Sequence, residues 1–356
     1  MPELEERISA FERLGAYLLR AGQENLTGQE KKLAQRENKL QKLISESFLS
    51  NPWFTPEFAA QACRSTGESL TGDKLRTWLA PYREKLYRQT GCRNIGVVMA
   101  GNIPLVGFHD FLCVLMSGNR ITGKLSSDDN QLLPHLAEKL IEFDPGFRDM
   151  IQLTESKLEG FDAMIATGSN NTSRYFEYYF GKYPHIIRKN RNGIAVLTGN
   201  ERPADLENLG RDVFLYFGLG CRNVSRLFIP ENYSFEPLLK AFQKFRFLAD
   251  HHKYHNNYEY YKSIFLISGD DHLDNGFVLL KKGDSFASPP AVLFYEEYND
   301  PRKLWKKIEA SRHLIQCVVG DSELFHGAVK FGKAQEPEIW DYADGIDTME
   351  FLLSLK

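Results

Sequence analysis

Cys221 sits in the stretch Gly218-Leu219-Gly220-Cys221-Arg222-Asn223-Val224-Ser225-Arg226-Leu227-Phe228-Ile229-Pro230, between a glycine-bearing turn and an apolar run that stops at a proline. A thiolate on such a turn can attack a carbonyl while its own backbone N–H holds the oxyanion that forms. A cysteine alone is more often a small core hydrophobe, so the chemical reading needs a second oxyanion donor and a nucleotide site. Three stretches offer them. In Ala100-Gly101-Asn102-Ile103-Pro104, the Asn102 amide is a donor on a tight turn; an asparagine before a proline-started helix equally suits a cap. In Lys124-Leu125-Ser126-Ser127, a lysine and two hydroxyls suit ribose oxygens or a 2′-phosphate, or a solvated strand end. In Ala166-Thr167-Gly168-Ser169, Gly168 permits close backbone approach and the helix that follows attracts phosphate at its N-terminus, although glycine–serine turns are common.

These stretches need elements to hold them. Residues 3 to about 50 read as helices, with Leu4, Ile8, Phe11, Leu14 and Leu18, then Leu33, Leu40, Leu43 and Ile44, at helical spacing. Thr55-Pro56-Glu57 and Thr71-Gly72-Asp73 are start signals for short helices, and a charged helical stretch runs from Leu75 to Tyr87. The texture then alternates. Residues 95–100, 120–125, 151–154, 163–167 and 193–197 read as buried strands, with helices over Pro104 to Met116, Leu132 to Phe143 and Ser173 to Phe180. Such alternation predicts βαβ units and a doubly wound parallel sheet whose carboxyl edge binds ligands. A second alternation starts after Asn200: a helix over Asp205 to Tyr216 that delivers the Cys221 turn, a strand at 226–230, a helix over Phe235 to Asp250, and strands at 291–295 and 314–319. The boundary between the two falls near Leu197 to Pro203.

Composition narrows the function classes. A net charge of −3, with lysines and arginines dispersed along the chain, leaves no basic footprint for nucleic acid. No apolar run reaches the length of a membrane span, and the acidic start Met1-Pro2-Glu3-Leu4-Glu5-Glu6 is no signal peptide. Cys63, Cys92, Cys113, Cys221 and Cys317 lie far apart, which argues against a disulfide framework and a zinc site and suits a cytoplasmic location. The segment Asp250-His251-His252-Lys253-Tyr254-His255 is rich in histidine, but adjacent histidines on a helix face apart, so no metal is expected. Its aromatics suit packing or the wall of an acyl tunnel.

Taken in order, these motifs resemble the aldehyde dehydrogenase superfamily. The matching pieces are Gly101-Asn102-Ile103-Pro104, Gly118-Asn119 followed by Lys124 and Ser126, Thr167-Gly168-Ser169, and Gly220-Cys221-Arg222-Asn223-Val224-Ser225-Arg226. The nearest branch is the LuxC-like fatty-acyl-CoA reductases, which the tail Trp340-Asp341-Tyr342-Ala343-Asp344-Gly345 supports; the resemblance covers roughly residues 90 to 350. It implies an α/β, aldehyde dehydrogenase-like fold: a helical N-terminal region (1–90), a Rossmann-type NAD(P)-binding domain (91–198), a smaller α/β catalytic cysteine domain (199–340) and a C-terminal tail (341–356), with the active site between the two domains. It implies that Cys221 accepts the acyl group and that Asn102 with the Cys221 N–H forms the oxyanion hole. Lys124, with Ser126 and Ser127 beside it, would hold the adenosine ribose or its 2′-phosphate, and Thr167, Gly168 and Ser169 would lie along the pyrophosphate.

Departures from the family pattern sharpen the reading. Hydrolytic members carry a glutamate before the last cofactor-domain strand that activates water. The corresponding stretch here is Ile187-Arg188-Lys189-Asn190-Arg191-Asn192-Gly193, which has no carboxylate. That favours reduction of an acyl thioester, CoA-borne or protein-borne, to an aldehyde; the basic residues could help to bind CoA phosphates. Small, neutral Ser127 leans toward NADPH, whereas Asp128 and Asp129 lean toward NADH. Asp284 or Ser285 could grip the nicotinamide ribose. No base for Cys221 stands out, so backbone dipoles and Arg222 would lower its pKa. The resemblance further suggests an acyl-protein synthetase partner and a homo-oligomer. A hydrolytic aldehyde dehydrogenase and a non-catalytic acyl- or partner-binding relative are the alternatives.

Overall fold

The computed structural model describes residues 2–21, 38–88 and 91–355; Leu33 of the helical spacing lies outside them. The chain divides into two compact units, residues 1–189 with 338–356, and residues 190–337.

The first unit opens with an amphipathic helix, Leu4–Ala21, whose periodic Leu4, Ile8, Phe11, Leu14 and Leu18 are all buried. Thr55 caps the helix Pro56–Ser69 through a bond from the Phe58 N–H, and Thr71 caps Gly72–Leu79 through the Lys74 N–H, as their start signals predict. These helices join one core with the sheet that follows. Its strands are β1 (Asn94–Val98), β2 (Arg120–Lys124), β3 (Ile151–Thr154), β4 (Ala163–Thr167) and β5 (His185–Arg188), in the parallel order β3-β2-β1-β4-β5. That order reverses between β1 and β4, and in open α/β sheets a ligand crevice forms outside the carboxyl ends at such a point.

The second unit has its own sheet: β6 (Asn192–Val196), β7 (Val224–Pro230), β8 (His272–Asp274), β9 (Leu279–Lys282), β10 (Val292–Tyr298) and β11 (Ile315–Val319), in the order β11-β6-β7-β10-β9-β8. Only the β8–β9 pairing is antiparallel.

The strand expected over 193–197 is present, but it belongs to this second sheet, so the break comes after Lys189 rather than near Leu197. A short apolar run marks a strand without naming the sheet it joins. The final segment is likewise no separate tail. Trp78 Nε1 donates to the Tyr342 hydroxyl at 2.7 Å, Tyr82 pairs with the same hydroxyl at 3.0 Å and donates to Asp347 at 2.6 Å, and Met349 and Leu352 are buried in the first core.

Several helix boundaries also move. The helix expected from Pro104 begins at Phe108, because Leu105 takes a left-handed φ of 59° that no α-helix accepts. The helix expected over Asp205 to Tyr216 runs Pro203–Phe214. That expected over Phe235 to Asp250 is α-helical only over Glu236–Phe242 and tightens into 3₁₀ turns over Gln243–Asp250. Among the described residues no helix is long and apolar enough to cross a membrane.

Candidate active site

In the first unit, parallel register sets Val98 of β1 beside Lys124 of β2 on one side and beside Ala166 of β4 on the other. The turns that follow these three strands are therefore neighbours on one carboxyl edge. Asn102, Lys124, Ser126, Ser127, Thr167, Gly168 and Ser169 all belong to that edge. Asn102, Ser127 and Ser169 are exposed there, and Lys124, Ser126, Thr167 and Gly168 half-buried. Ser169 caps the helix Asn170–Phe180, accepting the Thr172 N–H at 3.2 Å. Gly168 has a packing role of its own: a Cβ there would fall 2.9 Å from the Phe176 ring, so glycine lets this helix close onto β4. Ser126 serves its own turn, where its hydroxyl accepts the Asp128 N–H at 3.2 Å. A Cβ on Gly101 would come 2.4 Å from that hydroxyl, so the turns after β1 and β2 are locked together.

The later start of the helix settles one alternative for Asn102. The helix Phe108–Met116 is preceded by Gly107 and has no side-chain cap, so Asn102 is not its cap. The Asn102 loop is instead held by Asp129, whose carboxylate accepts the Leu105 N–H at 2.8 Å. Turned toward Leu105, Asp129 is removed from the groups that could read a ribose. Burial lifts its carboxyl to about 7 against the pull of that N–H. In the unfolded chain the same group titrates near its ordinary value of about 3.9. Between about pH 4 and 7 the folded form keeps a proton that the unfolded form loses, so the stability this carboxyl contributes is full at low pH and lost as pH rises through about 7. Asp129→Asn keeps an oxygen for Leu105 without the buried charge. Relative to wild type it should gain on the order of 2 kcal/mol at about pH 8 and almost nothing at about pH 4. Urea unfolding at the two pH values checks this, and an equal difference at both would refute it.

In the second unit the helix Pro203–Phe214 ends in an unusual turn. Tyr216, Phe217 and Gly218 take left-handed φ values of 54°, 56° and 76° in succession, although both aromatic side chains are buried. Left-handed backbone at a bulky residue costs about 1–2 kcal/mol, and it persists only where the surroundings enforce it. Asn223 enforces it. Its Nδ2 faces the carbonyls of Asp212, Val213 and Leu215 at 3.1, 3.3 and 2.8 Å, while its Oδ1 accepts the Gly220 N–H at 2.8 Å. One buried amide thus ties the helix end to the residue before Cys221. Asn223→Ala is expected to cost about 2–3 kcal/mol in urea unfolding and to slow iodoacetamide labelling of Cys221, because several buried polar groups lose their partner. Asn223→Asp should be no better, since it sets a carboxylate against three carbonyls. Wild-type stability and labelling in both variants would count against the staple.

A second brace reaches the residue after Cys221. Asp212, 1% exposed, accepts the N–H groups of Gly332 and Ala334 at 2.6 and 2.9 Å, and Arg222 Nε donates to the Ala334 carbonyl. Burial lifts the Asp212 carboxyl to about 6 against those two N–H groups. Sequence reasoning quoted Asn223 only as part of the motif and passed over Asp212. The available signal was a carboxylate among the apolar positions Leu206, Leu209 and Val213.

The cysteines separate by environment, and none forms a disulfide. Burial pushes the Cys63 thiol up to about 12 and Cys317 up to about 11, and raises Cys113 as well. Cys92 and Cys221 are the exposed pair. Cys92 lies at the amino end of β1, opposite the carboxyl edge, whereas Cys221 sits on the braced turn that enters β7. The histidines find structural work: His251 caps the helix His252–Ser268 and packs against Phe217. No group of three metal-ligating side chains gathers among the described residues.

A family model described as acyl-CoA reductase (LuxC) matches residues 72–187, a span that ends before Cys221. Among solved structures, the chain is similar to aldehyde dehydrogenase 21 from Physcomitrella patens in complex with the reaction product succinate, at 12% identity and TM-score 0.61 over 98% of this chain and 87% of that one. It is similar also to the Bacillus cereus aldehyde dehydrogenase in its NAD+ complex, at 12% identity and TM-score 0.62 over 90% and 72% of the two chains. A third is the Mycobacterium tuberculosis aldehyde dehydrogenase complexed with NAD+, at 16% identity and TM-score 0.56 over 90% and 77%. This chain has the aldehyde dehydrogenase fold and is LuxC-like. No curated protein matches it.

Within this LuxC-like chain the basic stretch from Ile187 to Gly193, which holds no carboxylate, has a structural task. Arg188 is buried in an ion pair with Asp110 at 2.5 Å and also donates to Thr348, while Lys189 pairs with Glu177 at 2.9 Å. Arg188 is therefore withdrawn from any CoA phosphate. Ser285, one candidate for the nicotinamide ribose, folds onto its own turn, where its hydroxyl donates to the Ala287 carbonyl.

Proposed function

We propose that the protein is an acyl-CoA reductase that uses NADPH in preference to NADH and passes through an S-acyl-Cys221 intermediate. The observation that carries the reading is the placement of Cys221: an exposed thiol on a turn whose strained backbone is fixed from both sides by buried polar groups. The match to an acyl-CoA reductase family over residues 72–187 and the bound NAD+ of two similar structures support it.

The residues at the first sheet's carboxyl edge fit a nicotinamide dinucleotide. Lys124 would hold the ribose, the small exposed Ser127 leaves room for a 2′-phosphate, and the N-terminus of the helix Asn170–Phe180 suits the pyrophosphate. The Cys221 thiolate attacks the thioester carbonyl, the carrier leaves as its thiolate, and the acyl group is held as a cysteine thioester. The Cys221 N–H stabilises the oxyanion at each tetrahedral stage. A nicotinamide dinucleotide held by Lys124 and the Thr167-Gly168-Ser169 turn would supply the hydride that reduces this thioester. Collapse of the resulting hemithioacetal releases the aldehyde and returns Cys221. With no carboxylate from Ile187 to Gly193, that stretch holds no base to draw water onto the acyl-enzyme. An assay of NADPH oxidation across a panel of acyl-CoAs should give aldehyde. Acid formed from aldehyde, without any thioester reduction, would replace this reading with the hydrolytic one.

A further inference from the structure

Outside the carboxyl ends of β6 and β7 the second unit holds a cavity of about 320 Å³. Gly199, just past β6, lines it, and so do Pro230 at the end of β7 and the loop that follows. Open α/β sheets take their ligands in crevices at the carboxyl ends of parallel strands. This one lies at the end of β7 opposite the Cys221 turn. Its charge is one-sided: Glu201 and Glu231 line it, and no lysine, arginine or histidine does among the described residues. Glu201 is aimed by its own loop. Its Oε1 accepts the Thr198 N–H and hydroxyl at 2.6 and 2.8 Å, whereas its Oε2 accepts only the Gly199 N–H, at 3.1 Å. A carboxylate offers about four acceptor positions, so Oε2 keeps one for a ligand. Glu231 is exposed and accepts the Asn299 amide at 3.3 Å. Tyr233 lines the cavity half-buried, and its hydroxyl has no hydrogen-bond partner among the described residues. Burial, reinforced by the Glu201 charge, raises its pKa, so the phenol stays neutral.

We propose that this cavity binds a small organic cation, a primary amine on a short apolar body, at a site separate from the acyl-transfer centre. Three observations favour it. The volume is at the small end for ligand pockets, which suits a body of a few carbons. Leu206, Pro230 and Pro237 give that body an apolar wall. The polar groups match an ammonium, which has three donors and no acceptor: Glu201 Oε2, the Glu231 carboxylate and the Tyr233 oxygen can each accept. An anion would meet two like charges without a partner. A bare divalent cation fits poorly, because it asks for about six oxygen ligands and no group of three metal-ligating side chains gathers among the described residues.

The probes are n-butylamine, 1-butanol and butyrate, which put a cation, a neutral hydroxyl and an anion on a similar short chain. Binding is read by calorimetry at about pH 8, where the amine is charged, on wild type, Glu231→Gln and Tyr233→Phe. Wild type should bind butylamine with a Kd of about a millimolar or tighter, butanol at least about tenfold more weakly, and butyrate not at all. Glu231→Gln should weaken butylamine about fivefold and leave butanol unchanged. Tyr233→Phe should weaken it about threefold, and the two substitutions together should bring butylamine down to the level of butanol. Glu231 is exposed, so Glu231→Gln should keep the wild-type urea midpoint, and its lower affinity then reports the site rather than the fold. No binding of butylamine, equal binding of butanol, or wild-type affinity for butylamine in both variants would overturn the proposal. None of these readings involves Cys221, so the acyl-transfer reading stands or falls separately.

Discussion

Cys221→Ala should abolish acyl-enzyme formation and lower NADPH-dependent reduction by at least about a thousandfold, with an unchanged unfolding midpoint. Loss of a nucleophile removes the covalent route altogether, and what remains comes from binding alone. Stability should hold because the side chain is exposed and the turn is shaped by its neighbours. Asn223 bonds to the Gly220 N–H and Arg222 to the Ala334 carbonyl, and neither contact uses the thiol. Cys92→Ala is the matched control: the other exposed cysteine, at the amino end of β1, whose loss should leave acylation intact. Intact-protein mass after exposure to acyl-CoA separates the two. An acyl adduct that survives in Cys221→Ala, or vanishes in Cys92→Ala, would move the nucleophile elsewhere.

The largest loss of stability is expected from Asp110→Ala. Arg188 at the end of β5, Asp110 on the helix Phe108–Met116 and Thr348 at the start of the last helix form one buried polar knot, with side chains 5% and 8% exposed in the ion pair. Removing the carboxylate strands a guanidinium in the core, which costs about 3–5 kcal/mol. An apolar pair of similar volume in the same place is often neutral or better, so Asp110→Leu combined with Arg188→Met should recover most of the loss. Urea unfolding of the two single variants and the double one gives the coupling directly. Independent, additive losses would show that the pair is not a pair.

The knot also shows where sequence reading stopped. Asp110 sits in Phe108-His109-Asp110-Phe111-Leu112-Cys113-Val114-Leu115-Met116, where a single carboxylate in an apolar helix was the available signal. Its partner lies 78 positions away, at a strand end whose basic residues read as candidates for CoA phosphates. Periodicity reports which face of an element is buried, not which element it meets. Hence most strands and the N-terminal helix were legible, whereas the membership of β6 was not, nor the short β5, β8 and β9, of four, three and four residues. That Asn102, Lys124 and Gly168 share one sheet edge was legible, because parallel strands send their carboxyl ends to one side. The left-handed run at Tyr216 and Phe217 was not, because aromatic residues carry no preference for that conformation and tertiary contacts impose it. The braces Asn223 and Asp212 went unread for the same reason: a polar side chain gives no hint of its partner until the chain has closed around it.

The return of residues 338–356 to the first unit bears on how this molecule is made. A ribosome releases the chain from its amino end, at roughly 5–20 residues per second. Residues 190–337 are contiguous, so that unit is complete as soon as it emerges. The unit that begins first must wait longer: Trp78, Tyr82 and Arg188 meet Tyr342, Asp347 and Thr348 only when the last segment is out. The first unit, started earliest in synthesis, is therefore the last to be finished, and until then Arg188 and Asp110 lack the Thr348 hydroxyl that completes their knot.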